Sequence, residues 1–338
     1  MTAIEKLPEI TYWVCGGTGL NIADAITAHT NSPYNKAARF IGLDASNANI
    51  PTTKFAVERI KLPDDPEQVA KGSGKIQKTN YEAAQPFVDQ ALTHHKPSLY
   101  NVIVCNLAGG SGSMIALLVF RWLKGKGHVA PCIFIGEKGD TVAFTNSLNT
   151  MNWFSNQVSP DVLGVPVPYI EMWNDPQLTR GEMNKEVVKK ADLLSLFMTE
   201  KNGEMDFSDF QNLMEYSKYN LAPALSRITF ADQRIAEVEG ELKDKPPVAV
   251  ASLFTEKDKI VARFQGAGVR STGIFPDNDD RPKHVTELHM MLDHGDALRD
   301  LEKQRKELED VKTTSNNRFT TQKPLATAKA ADGNGVSF

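Results

Sequence analysis

I-T-Y-W-V-C-G-G-T-G-L-N, residues 10 to 21, passes from an apolar, β-rich run into a glycine cluster and then into helical spacing. The same succession returns in Y-N-V-I-V-C-N-L-A-G-G-S-G-S, residues 100 to 113. Two such units decide the class of fold, because strands apolar on both faces belong to a parallel sheet covered by helices. Further runs of this kind lie at 39–43 and 129–135, with helical spacing at 21–30, 79–95, 113–125 and 143–157. The order β, α, β predicts right-handed crossovers, helices on both faces, and ligands at the carboxyl ends of the strands.

Beyond this half, residues 182–200 predict a helix that is apolar nearly all round and therefore buried between layers. Residues 206–240 read as helical, and strands are expected at 247–254, 270–275 and 285–292, which together make a second, mixed α/β domain. Residues 294–312 fit a surface helix, and 313–338 are polar and small, as in a flexible tail.

Composition narrows the function classes. With 338 residues, 41% hydrophobic and 24% charged, the chain can bury a large core. A net charge of −4, with both signs interspersed, gives no footprint for direct nucleic-acid binding. No apolar run of about 18 residues occurs, and the first residues lack the basic start and apolar core of a signal peptide, so the expectation is a cytoplasmic chain without membrane insertion. Cys15, Cys105 and Cys132 sit in apolar runs without metal-ligand spacing and read as reduced, buried thiols. His94 and His95, before Lys96-Pro97, suit a helix C-terminus without invoking a metal. No trio of serine, histidine and acid emerges from spacing.

Each glycine cluster stands where backbone N–H groups at a helix start cradle phosphate. The first comprises Gly16, Gly17, Thr18, Gly19 and Asn21; the second runs Ala108, Gly109, Gly110, Ser111, Gly112 and Ser113. An ordinary tight turn is the alternative for either one. A dinucleotide fingerprint needs a third glycine where Ile22 stands, which leaves an NAD-dependent oxidoreductase as the runner-up, and a Walker loop is excluded because Gly74-Lys75 is followed by Ile76.

Gly109-Gly110-Ser111-Gly112-Ser113 after an apolar strand resembles the tubulin signature G-G-G-T-G-S-G, and Gly16-Gly17-Thr18-Gly19 resembles the first phosphate loop of the tubulin/FtsZ superfamily. Within it the chain resembles the phage-encoded tubulins of the PhuZ family, over most of residues 10 to 312. Ala108 replaces the first signature glycine, Ser111 a threonine, and Met114 a final glycine.

The resemblance implies a GTP-binding domain (1–181), a central helix (182–200), an activation domain (201–293), a C-terminal helix (294–312) and a tail (313–338). It implies GTP/GDP with Mg²⁺ as ligands, and head-to-tail self-assembly into filaments that hydrolyse GTP at subunit contacts. Gly203-Glu204-Met205-Asp206-Phe207-Ser208-Asp209 resembles the superfamily's catalytic loop, which makes Asp206 and Asp209 the candidate catalytic acids; Asp206 capping the next helix is the structural alternative. Asn184 is implied to face the base, with Arg180 stacked on it where an aromatic is usual. Asn174 is a second base contact or an ordinary turn residue. Lys75 is a γ-phosphate sensor or a solvated lysine, and Asp44 is a support for Mg²⁺ through water. The biology implied is a phage spindle in the host bacterial cytoplasm that positions the phage DNA compartment or capsids as indirect cargo. A nucleotide-dependent assembly protein that does not hydrolyse is a further alternative, and this tail, with Arg318, Lys323 and Lys329 against Asp332, is not acidic as in that family.

Overall fold

The computed structural model describes residues 10–46, 55–60, 81–174, 177–198, 205–232, 247–254, 257–273 and 287–294, with 298–299, 302–303 and 305–306. Strands β1 (Ile10–Cys15), β2 (Arg39–Asp44), β3 (Ala56–Arg59), β4 (Tyr100–Asn106), β5 (Cys132–Glu137) and β6 (Val167–Asn174) pair in parallel. Helices α1 (Gly16–His29), α2 (Pro33–Lys36), α3 (Tyr81–His94), α4 (Ser111–Gly125) and α5 (Thr141–Ser155) intervene. A long helix α6 (Arg180–Phe197) and a short α7 (Phe207–Met214) lead to β7 (Leu225–Asp232), and β8 (Ala249–Leu253), α8 (Lys257–Arg263), β9 (Val269–Gly273) and β10 (Leu288–His294) follow.

All ten strands form one sheet in the order β3-β2-β1-β4-β5-β6-β7-β10-β8-β9. The two halves expected from sequence therefore share a sheet, joined where β7 pairs in parallel with β6 through Val167↔Leu225. Antiparallel pairing begins only at β10, which lies between β7 and β8.

Alternation along β1 sorts its side chains onto two cores. Tyr12 and Val14 join a cluster with Leu20 and Ile26 of α1 and Val187 and Leu194 of α6. Trp13 and Cys15 point the other way, among Leu92 of α3, Ile115 and Val119 of α4 and Phe154 of α5. The sheet is thus covered on both sides, which is why its strands read as unbroken apolar runs. The three thiols are buried as expected, and burial pushes each of them up in pKa.

The sequence reading fails at 225–232, expected as helix and observed as β7. Asn220 adopts a left-handed conformation with φ 61°, and Pro223 follows it, so no helix continues through this stretch. Leu225, Ile228 and Ala231 are buried by sheet pairing that no local propensity announces. β3 and β6 were also unanticipated. Of the expected C-terminal surface helix (294–312), His294 instead ends β10, the described positions from 298 on are helical, and the tail lies outside the described residues.

Candidate functional site

The chain leaves β1 toward β2 and β3 on one side of the sheet, then returns to β4 and continues to β5 and β6 on the other. The strand order reverses between β1 and β4, the place where open α/β sheets bind ligands. Both glycine loops arise there, at the carboxyl ends of these adjacent strands. Gly16 has φ +74°, and a Cβ on it would lie 2.7 Å from Gly112 Cα; a Cβ on Gly112 would lie 2.7 Å from Cys15 O. The loops touch main chain to main chain, so these two glycines are demanded by packing whatever they bind.

The starts of α1 and α4 differ from those of their neighbours. Asp140 caps α5, Thr179 and Glu182 form a capping box on α6, Asp206 and Asp209 form another on α7, and Ser32 caps α2. At α1 and α4 the N-cap residues, Cys15 and Gly110, supply no side-chain acceptor. Two helix starts therefore direct first-turn N–H groups to one place without a side-chain cap, and their dipoles add a field that favours an anion. Asn106 Oδ1 accepts from Ala108 N at 2.7 Å, and Ser113 Oγ donates to Gly109 O, which fixes the second loop from within.

Beside the first loop opens a cavity of about 470 Å³. Thr18 and Asn21 of α1, Asn174 at the end of β6, and Arg180 and Asn184 on α6 line it. The Thr179–Glu182 box opens α6 at Arg180, and Arg180 and Asn184, four residues apart, then share one face. Hydrogen bonds from Thr179 hold the Glu182 carboxyl below the usual range. Ile22, Ile135 and Met183 supply apolar surface. Five residues proposed from separate parts of the sequence thus meet in one concavity.

Glu137, at the end of β5, was missed by the sequence reading. It lines the cavity and accepts from Asn106 Nδ2 at 2.7 Å and Asn174 Nδ2 at 2.9 Å, while Asn106 Nδ2 lies 3.5 Å from Thr18 Oγ1. The one available signal was an acid at the carboxyl end of a buried strand.

Asp44 is buried, its Oδ1 accepts from Ser46 N at 3.2 Å, and it is not among the cavity's lining residues. Lys75 lies outside the described residues. Asp206 and Asp209 stand at the far end of the molecule. They follow the C-terminus of α6, whose 18 residues span about 27 Å, whereas Arg180 and Asn184 occupy its start. Phe207 and Phe210 beside them pack edge-on against Tyr100, at the amino end of β4, whose carboxyl end leads into the second glycine loop. Within one copy, the structure does not bring these acids to the cavity; it binds each to the other's backbone, as Asp209 N to Asp206 Oδ1 at 3.1 Å and Asp206 N to Asp209 Oδ2 at 3.2 Å.

No known protein-family profile matches the sequence. A phage tubulin-like protein of Pseudomonas phage PhiPA3 is 25% identical over 303 residues, covering 88% of this chain and 89% of that protein. A phage tubulin-like protein of Pseudomonas phage phiKZ is 22% identical over 336 residues, covering 96% and 97%. The chain is thus similar over most of its length to phage tubulin-like proteins. Among solved structures, the TubZ protofilament from bacteriophage PhiKZ superposes with a TM-score of 0.76 at 20% identity, covering 97% of each chain. The GDP complex of the phage tubulin PhuZ gives 0.75 at 18% identity over 98% of this chain and 99% of that one. An FtsZ from M. jannaschii gives 0.58 at 15% identity over 84% and 90%, so the fold is that of the tubulin/FtsZ superfamily. Met114, which stands where the tubulin signature has its final glycine, is fully buried in the core beneath α4.

Proposed function

We propose that this chain binds GTP at the joined glycine loops and the adjoining cavity, polymerises head to tail, and hydrolyses GTP where one copy's acids meet the next copy's nucleotide. The observation that carries this reading is the pair of helix starts without side-chain caps at the β1/β4 reversal, beside a cavity holding Asn184 and Arg180. The amides of the two loops take the phosphates and stabilise charge that develops on the transferred group. Asn184 offers a donor and an acceptor to the guanine edge, the Arg180 guanidinium lies over the base, and Thr18 and Asn21 flank the sugar and phosphates. Mg²⁺ enters this reading as a companion of the triphosphate, neutralising phosphate charge and held by phosphate oxygens and water, with no protein carboxylate assigned to it.

Asp206 and Asp209, at the opposite pole, orient the attacking water only after a second copy docks. A heterologous contact of this kind repeats without closing, which yields a filament. The resemblance to filament-forming phage proteins extends the proposal to a cytoskeletal role in the host bacterial cytoplasm, with phage cargo moved indirectly.

The capping box that engages both acids favours a second reading, an assembler that does not hydrolyse. Sedimentation with parallel phosphate release separates the two, using GTP, ATP and a slowly hydrolysed GTP analogue with wild type and Asp209→Asn. GTP-dependent pelleting with phosphate release that Asp209→Asn loses while still pelleting supports the GTPase. Pelleting without release supports the assembler. Absence of GTP binding overturns both.

A further inference from the structure

The edge of the sheet carries a cluster of different chemistry from the cavity. Glu58 lies on the edge strand β3, His94 ends α3, and His95 follows it. Glu58 Oε1 stands 2.5 Å from His95 Nε2 and 3.5 Å from His94 Nδ1. The two rings stack with centroids 4.5 Å apart, and one donor atom from each of the three side chains lies within 4.8 Å of the others. A helix C-terminus accounts for a histidine at this position, but not for a carboxylate from a separate strand set against both ring nitrogens.

We propose that Glu58, His94 and His95 form a binding site for a divalent transition metal of the zinc class. Two imidazoles and one carboxylate are the donor set of a zinc site that keeps an open position, whereas Mg²⁺ and Ca²⁺ prefer oxygen throughout. Donors held at about 2.1 Å from a tetrahedral ion lie about 3.4 Å from one another. The His94–Glu58 pair already has this separation, at 3.5 Å. The His95–Glu58 hydrogen bond opens by about 0.9 Å to admit the ion, within reach of a small side-chain rotation.

Two of the ligands are held in place beforehand. The Arg39 guanidinium donates to His95 O at 3.3 Å and to Lys96 O, and Glu58 sits in register opposite Leu43 of β2. Exposure is graded, with side chains 16% exposed at His95, 35% at Glu58 and 72% at His94, so the site opens to solvent on the His94 side for entry and for water ligands. A bound ion cross-links the edge strand to the end of α3.

Calorimetric titration of the full chain with zinc chloride, after treatment with chelator, tests this in wild type, His94→Ala and Glu58→Gln. Glu58→Gln keeps a hydrogen-bonding partner for His95, and His94→Ala alters an exposed ring, so both variants are expected to fold. The expected result is one ion per chain, weakened more than about tenfold in each variant, with zinc raising the Tm of wild type alone. Visible absorption of the cobalt-loaded protein reports tetrahedral coordination and is lost in the same variants. Absence of zinc binding by wild type at micromolar concentration overturns the proposal, as does one-ion binding that both variants leave unchanged. Neither readout depends on GTP.

Discussion

Gly112 has no room for a single methyl group, since its Cβ would meet Cys15 O at 2.7 Å and Gly16 Cα at 3.1 Å. Both obstacles are backbone, so Gly112→Ala should separate the loops and destabilise the fold by about 1–3 kcal/mol. Urea denaturation and a nucleotide-binding titration check this, with both expected to fall. Asn184 is half-buried on the exposed side of α6, and its amide has no structural partner to lose among the described contacts. Asn184→Ala should therefore weaken GTP binding by about tenfold, the loss of one or two hydrogen bonds, with Tm unchanged and discrimination against ATP reduced. Asn184 and Arg180 were singled out by the resemblance of the start of α6 to the superfamily's, and both line the cavity. Glu137 was not, because its importance comes from the pairing of β5 with β4 and β6, which sets Asn106 and Asn174 around it.

Between elements, one buried ion pair ties α4 to the segment after α7. Lys124 Nζ lies 2.8 Å from Glu215 Oε1, with side chains 4% and 10% exposed. Burial lowers the Lys124 pKa and Glu215 opposes that shift, so removing the acid leaves a desolvated cation. Glu215→Ala should destabilise the protein by about 3–5 kcal/mol, read as a lower urea midpoint, while Lys124→Met with Glu215→Leu should restore much of the loss. In the second half of the sheet, His289 of β10 is fully buried, and its Nδ1 lies 2.7 Å from Ser252 Oγ of β8. Burial drives its pKa down from the ordinary 6.5 to about 4, against the attraction of Glu287 and together with the repulsion of Arg263. The folded chain refuses a proton that the unfolded chain accepts. Stability is therefore complete above pH 6.5 and falls as pH drops from 6.5 toward 4, by up to about 1.4 kcal/mol per pH unit. Urea unfolding at pH 7 and pH 5 should show this slope in wild type and a flatter one in His289→Gln. Neither network was legible, because each joins residues far apart in sequence. Strand β7 was missed for a related reason: pairing with β6 and β10, not the helical spacing read into 206–240, fixes its conformation.

Across the whole molecule, the cavity beside the first glycine loop and the paired acids lie at opposite ends of α6. A site completed by two copies makes a prediction that no single-copy site shares. Gly112→Ala, defective in nucleotide binding, and Asp209→Asn, defective in acid, should each release little phosphate alone. Their mixture should recover activity, because contacts pairing a sound cavity with a sound acid form between the two variants. Phosphate release from the mixture, compared with the separate proteins at equal total concentration, checks this. The sequence by itself determined the parallel sheet, the two glycine loops at its strand ends, the long buried helix, and the residue types that meet at the cavity. Those features are local: apolar runs, glycine where main chains must touch, and periodicity along a helix are written in neighbouring residues. Only the tertiary structure decided that both loops meet at one strand-order reversal, that the halves share a single sheet through β6 and β7, and that Glu137, Lys124, His289 and the Glu58 cluster have their partners. Each of those depends on strand order and on contacts distant in sequence, where the free energy of pairing and burial overrides local preference.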